Sequence, residues 1–341
     1  MPPAPTERRR SGWVVAAVVG AALAAGCTST SAALPAPTRP PVVLPADAHV
    51  VHPKPLAETT ACAHPGPAVA PGDVTASRQP PAALPAPGHM PAGSWMATIQ
   101  SRGYLIAGVD QNTYLWGYRD PTTGHFTGFD IDMLRQISQA IFGSPDRIIY
   151  KAIPNKERVS AVMSGKVDIV AETMTINAER DRCVDFSTVY FEAGQQILVP
   201  TNSSITGPRD LGEKRVCATD GSTSLENLVG PMVATGVVAW AVPNETDCLV
   251  MLQQGQVDAI STDNTILQGL KDQDPNTWIV GSPFSSEPYG MAISKDHPDF
   301  TSFVNGVLAN ERADGTWASI YRTWLGPTPP APPPATYRAA S

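Results

Sequence analysis

One arginine in this chain has the surroundings to hold an organic anion. Arg180 lies in TMTINAERDRCVDFSTVY at 173–190. Its planar guanidinium offers a carboxylate two parallel charge-assisted bonds, and an ion pair with the adjacent Glu179 or Asp181 is the plainer alternative. A second polar group, DGSTS at 220–224, precedes a helical stretch at 225–229. Backbone N–H groups at a helix start, with the Ser222 and Thr223 hydroxyls, make a small anion cradle. Simple capping by Ser222 or Ser224 is the competing use. Asp263, in STDNT at 261–265, stands where it can cap a helix over 265–271. No Ser-His-Asp order, HExxH or P-loop accompanies these groups, and His125 and His297 fall in loops. The five cysteines include no CxxC pair, so neither a metal site nor a cofactor is expected.

These residues sit in a repeated framework. MSGKVDIVA at 163–171 and LQQGQVDAIS at 252–261 match each other, and each follows a helix-period pattern. Gly165 and Gly255 stand where those helices end, since glycine takes the left-handed conformation without steric cost. An earlier strand belongs to each copy, YLIAGV at 104–109 and RVCA at 215–218, running into Asp110 and Asp220. Strand, loop, helix, strand, given twice, predicts two α/β lobes with parallel sheets, whose ligands sit at the carboxyl ends of the strands. YFEAGQQILVP at 190–200 leads out of the first lobe, and GSPFSSEPYGMAIS at 281–294 leads back. The expected division is lobe 1 at 94–195 and 284–326, with lobe 2 at 196–283. The two connections would flex as a hinge.

Proline accounts for 35 of the 341 residues, and most of it crowds outside that block. Residues 28–93 read as a Pro/Ala-rich tether, and 327–341 as a Pro-rich tail. The net charge of −7 is spread along the chain, which argues against nucleic-acid binding. A monomer is expected.

The N-terminus reads as an address at 1–27. Arg8, Arg9 and Arg10 precede an apolar stretch at 13–25 that suits a secretory signal and is too short to span a bilayer. LAAGC at 23–27 resembles the lipobox of bacterial lipoproteins, with the leucine one place further from Cys27 than usual. That resemblance implies lipidation of Cys27 and attachment to the outer face of the cell membrane; an ordinary signal peptide is the alternative. Cys217 and Cys248 lie within one lobe and are expected to pair, leaving Cys62 for Cys183 by elimination.

GFDIDM at 128–133, with the helical pattern to 141, resembles the signature of bacterial extracellular solute-binding proteins of the polar amino-acid family. The segment at 173–190 is similar to that family's ligand loop. The likeness is strongest to actinobacterial glutamine- and glutamate-binding lipoproteins. It implies a type II periplasmic-binding-protein-like fold, two α/β lobes on a two-strand hinge, which captures a polar amino acid of the glutamine, glutamate, aspartate or asparagine class. Delivery to an ABC permease follows from it, or signalling to a membrane sensor protein. A cyclohexadienyl-dehydratase-like enzyme on the same fold is the alternative from another class, and no enzyme activity is expected.

By that resemblance Thr175, Asn177 and Arg180 hold the ligand, and Asp263 receives its α-amino group. Asn177 stands where the family commonly has threonine. Ser222 and Thr223 add the second-lobe cradle, while Asp110, Trp116 and Tyr118 line the first-lobe side. An Asp110 near the side-chain pocket suits an amide or cation; Arg119 or Arg158, turned inward, suits an acid. Asp130 and Asp132 are read as structural, at a helix N-terminus.

Overall fold

The computed structural model describes residues 45–51 and 74–339. Cys27 and Cys62, with the expected signal segment at 1–27, lie outside them. Two sheets form the two lobes. The first runs in the order Ile148–Ala152, Leu105–Val109, Ile169–Val170, Ala292–Ser294, Val184–Phe186. Its first three strands are parallel and the last two pair antiparallel. The second runs His49–Val51, Val238–Val242, Arg215–Thr219, Ala259–Asp263, Gln195–Pro200, Thr277–Val280, with a parallel centre and antiparallel flanks.

The central strands carry continuous apolar runs, Leu105–Val109 in the first lobe and residues 216–218 in the second, because both faces are covered. Leu105, Ala107 and Val109 enter one core cluster while Ile106 packs against another. Val216 and Ala218 divide from Cys217 in the same way. The sequence repeat is also a structural one. Helix Arg158–Met163 leads through Gly165 at φ 68° into Ile169–Val170, and helix Glu245–Gln253 leads through Gly255 at φ 66° into Ala259–Asp263. Between the lobes, Phe191–Ala193 pairs antiparallel with Glu287–Tyr289. Two α/β lobes are thus joined by a two-strand hinge.

The ends of the chain depart from the expected tether and tail. His49–Val51 adds an edge strand to the second sheet. Residues 74–93 lie on the first lobe, where Met90 is buried in the core and Leu84 packs against it. The Gly88 N–H donates to the Ile141 carbonyl at 2.8 Å. Residues 336–338 join them through a parallel bridge between Ser77 and Tyr337. Proline-rich composition misled here because proline removes donors but not side-chain packing surface: Pro81 and Leu84 rest against Gly306, where a side chain would collide with them. Cys217 and Cys248 form a disulfide with Cα atoms 5.5 Å apart. Cys183 is also disulfide-bonded.

Candidate functional site

The carboxyl ends of the central strands face the cleft between the lobes. Strand Arg215–Thr219 turns through Asp220 and Gly221 into helix Thr223–Leu228. Ser222 caps that helix, its hydroxyl accepting from the Leu225 N–H at 3.1 Å and donating to the Thr219 carbonyl at 2.6 Å. Strand Ala259–Asp263 ends at the N-cap of Asn264–Gln273, but Asp263 makes no side-chain cap bond. Its carboxylate accepts from the Tyr289 hydroxyl at 2.6 Å and the Ser224 hydroxyl at 3.4 Å. Burial, and then the nearby Glu287 carboxylate, push Asp263 up to about 7.

In the first lobe, helix Ala178–Cys183 carries Arg180. The guanidinium turns back to donate to the Thr175 carbonyl at 2.7 Å and crosses the cleft to the Gly221 carbonyl at 3.2 Å. Arg158 converges on that same carbonyl at 3.4 Å, held by the Glu172 and Asn155 carbonyls at 2.9 and 3.0 Å. Burial, then the neighbouring Arg158 charge, lower Arg180 to about 10. Gly221 has φ +78°, and a Cβ there would lie 2.6 Å from the Lys156 Cα of the other lobe. Only glycine allows this approach.

Further polar pairs cross the cleft. Asn112 Nδ2 donates to Asn244 Oδ1 at 2.9 Å, Asn155 Nδ2 to Glu245 Oε1 at 3.3 Å, and Lys156 to Asp220 at 3.2 Å. Burial, then the Asp110 charge, raise Glu245 to about 7. Glu287, on the returning hinge strand, accepts from Thr175 at 2.7 Å on one lobe and Thr223 at 2.9 Å on the other. Ser285 and Asn227 reach its second oxygen at 2.6 and 3.3 Å. The lobes close on a cavity with about 10 Å³ of water-accessible space, room for a single water.

Five of the nine expected site residues meet at this cavity: Thr175, Arg180, Ser222, Thr223 and Asp263. The other four are placed elsewhere. Trp116 is fully buried in the first-lobe core against Phe129, Phe191 and Tyr289, so it corrects the expectation of a ligand wall. Tyr118 lies half-buried in a small three-stranded sheet, edge-on to Tyr114. The Asp110 carboxylate accepts from the Asn112 N–H at 2.9 Å and from the Thr113 hydroxyl, holding its own loop. Asn177 caps helix Ala178–Cys183, accepting from the Arg180 N–H at 2.8 Å. Arg119 faces the Gly124 carbonyl in solvent. Asp181, weighed as an ion partner of Arg180, pairs instead with Arg338 at 2.6 Å. Arg158, Glu245 and Asn155 also line the cavity, and Glu287 bonds to two of its lining residues. Only Arg158 among these four is a candidate by its sequence. A glutamate heading the otherwise uncharged EPYGMAI run at 287–293 is the available signal for Glu287.

Two α/β lobes that close across a charged, buried cleft define a clamp-type solute receptor. The chain belongs to the bacterial extracellular solute-binding proteins, family 3, whose family pattern matches residues 105–327. It is a binding protein, not an enzyme. It is 36% identical over 235 residues to the ABC transporter glutamine-binding protein GlnH of Bacillus subtilis, covering 69% of this chain and 85% of that protein. It is 38% identical over 203 residues to a glutamine-binding protein of Geobacillus stearothermophilus, covering 59% of this chain and 77% of that one. Among solved structures, an ancestral arginine-binding protein bound to glutamine aligns with a TM-score of 0.61 at 36% identity, over 66% of this chain and 99% of that one.

Proposed function

We propose that the protein captures a polar α-amino acid outside the cell by closing its lobes, and delivers it to an ABC permease. The observation that carries this reading is the convergence of Arg180 from one lobe and Asp263 from the other on one buried cavity. A carboxylate requires the guanidinium fork and N–H donors, and an ammonium requires a carboxylate. A zwitterion satisfies both only when the lobes are together, and the small cavity means that it enters by parting them. Glutamine, glutamate, asparagine and aspartate fit best. Asn155 and Arg158 supply donors, and Glu245 an acceptor, for an amide or acid side chain. The glutamine-binding relatives support the same class.

Cys27 is proposed as the lipidated residue that holds the protein on the outer face of the membrane, and the protein acts as a monomer. Native mass spectrometry of the purified protein tests ligand and oligomeric state together, and should show one chain carrying one amino acid. Calorimetric titration with the four amino acids should give at least one micromolar dissociation constant. Failure to bind any of them would overturn the assignment of ligand class.

A further inference from the structure

The helix that carries Arg180 is held from behind by the two ends of the chain. Arg338, eleven residues past the end of the family match at 327, pairs with Asp181 at 2.6 Å. The Asp181 side chain is 1% exposed, and its second oxygen is buried without a hydrogen-bond partner among the described residues. Arg78, ahead of the match that begins at 105, pairs with the equally buried Asp185, which also meets Lys295 at 3.4 Å. These two aspartates bracket the last turn of helix Ala178–Cys183 and its exit into strand Val184–Phe186.

The two arms are also fastened to each other. Ser77 N–H donates to the Thr336 carbonyl at 3.0 Å, and Arg338 N–H to the Ser77 carbonyl at 2.7 Å. Arg338 Nε donates to the Ala76 carbonyl at 2.8 Å. The Ser77 hydroxyl donates to the Phe186 carbonyl at 2.5 Å, and Asn305 Nδ2 binds both Ser77 Oγ and the Arg78 carbonyl at 2.7 Å. Arg312 donates to the Pro333 carbonyl at 3.0 Å and so holds the proline-rich arm down.

We infer that Arg338 is a positioning residue for ligand capture: through Asp181 it fixes the helix that aims the Arg180 guanidinium into the cleft. The inference rests on the reading of Arg180 as the carboxylate ligand. Asp181 directly follows Arg180, so a displacement of its carboxylate moves the neighbouring side chain's base. Removing Arg338 leaves a buried carboxylate with no cation at 2.6 Å, and the helix end must shift to hydrate it. Positional coupling of this kind changes affinity by roughly 2- to 30-fold.

The test uses the full chain and four variants, Arg338→Ala, Arg338→Lys, Arg338→Gln and Arg180→Ala, titrated with L-glutamine, L-glutamate, L-asparagine and L-aspartate. Arg338→Ala and Arg338→Gln should weaken binding of the preferred amino acid about tenfold, and Arg338→Lys should restore most of it. The ¹⁵Nε–H signal of Arg180 should shift in the alanine and glutamine variants and return in the lysine variant. Binding within twofold of the parent in all three Arg338 variants, with the Arg180 signal unmoved, overturns the inference if Arg180→Ala abolishes binding. If Arg180→Ala itself binds as the parent does, the reading of the cleft has failed instead. Should Arg338→Ala not fold, the glutamine and lysine variants carry the comparison.

Discussion

The Tyr289 hydroxyl reaches from the hinge strand to the Asp263 carboxylate, 2.6 Å away at the mouth of a second-lobe helix. That single bond ties the flexing element to the group proposed to receive the ligand's ammonium. It does not offset burial, which with Glu287 places Asp263 at about 7.

Ligand affinity should therefore depend on pH in a defined direction. A carboxyl raised from 3.8 to about 7 contributes to folding stability fully below its unfolded value, and that contribution is lost as pH rises through about 7. The ligand's ammonium needs the ionised form. Affinity should fall by about tenfold per pH unit below about 7, and binding near neutrality should release a proton. Calorimetry in buffers of different ionisation heat measures that proton; a flat profile from pH 5 to 8 would exclude Asp263 as the ammonium partner.

Arg180→Ala and Asp263→Ala should each abolish measurable binding while the chain stays folded. Each leaves one ligand charge unpaired in a dry cleft, a loss of about 4 kcal/mol, which turns a micromolar dissociation constant into roughly a millimolar one. Arg180→Lys should recover little, because a point charge cannot reproduce the fork. Titration alongside thermal melts separates lost binding from lost folding.

Gly221→Ala should hold the lobes apart. The new methyl would lie 2.6 Å from the Lys156 Cα at a left-handed backbone position, so both the turn and the approach resist it. An affinity lower by about tenfold is expected from the reduced closed population, together with a larger radius of gyration in X-ray scattering with ligand present.

The terminal segments should contribute measurably to stability. A chain beginning at residue 94 loses Met90 from the first-lobe core and the Ser77 bonds to Phe186 and Asn305. It should be less stable than a chain beginning at residue 74 by about 3 kcal/mol, on the scale of one buried methionine and a pair of hydrogen bonds. Urea unfolding of the two truncations gives the difference directly.

Replacing Cys217 and Cys248 by alanine should cost about 4 kcal/mol, on the scale of the 31-residue separation that the bond closes. Denaturant midpoints with and without reductant provide the check.

Much of the architecture was legible because it repeats. The two glycine-ended helices and the strands after them can be read from 163–171 and 252–261, since local periodicity encodes them. Arg180 and Asp263 were legible through the segments around them. Asp130, structural by its place in the sequence, accepts from the Tyr190 hydroxyl at 2.7 Å and the Thr173 N–H at 2.9 Å, shaping the loop ahead of Arg180. Trp116 misled because it sits between two very short strands, where no alternation is long enough to show which face is core. Arg158 meets Gly221 and Glu245 meets Asn155 across the cleft, a relationship that no local pattern carries. The ends misled because composition reports proline content and not the few side chains, Arg78, Met90 and Arg338, that bind them down.

The edge strand His49–Val51 also bears on the order of assembly. It pairs with Val238–Val242, so this early strand waits unpaired for a sheet that is made long after it. Pairing of such separation is slow to form, and until it does the Val238–Val242 edge stays open to strands of other chains. A chain made without that edge strand should still complete its hinge and both central sheets. It would also carry a sticky margin, and self-association would reveal that loss sooner than any change in the affinity of the cleft.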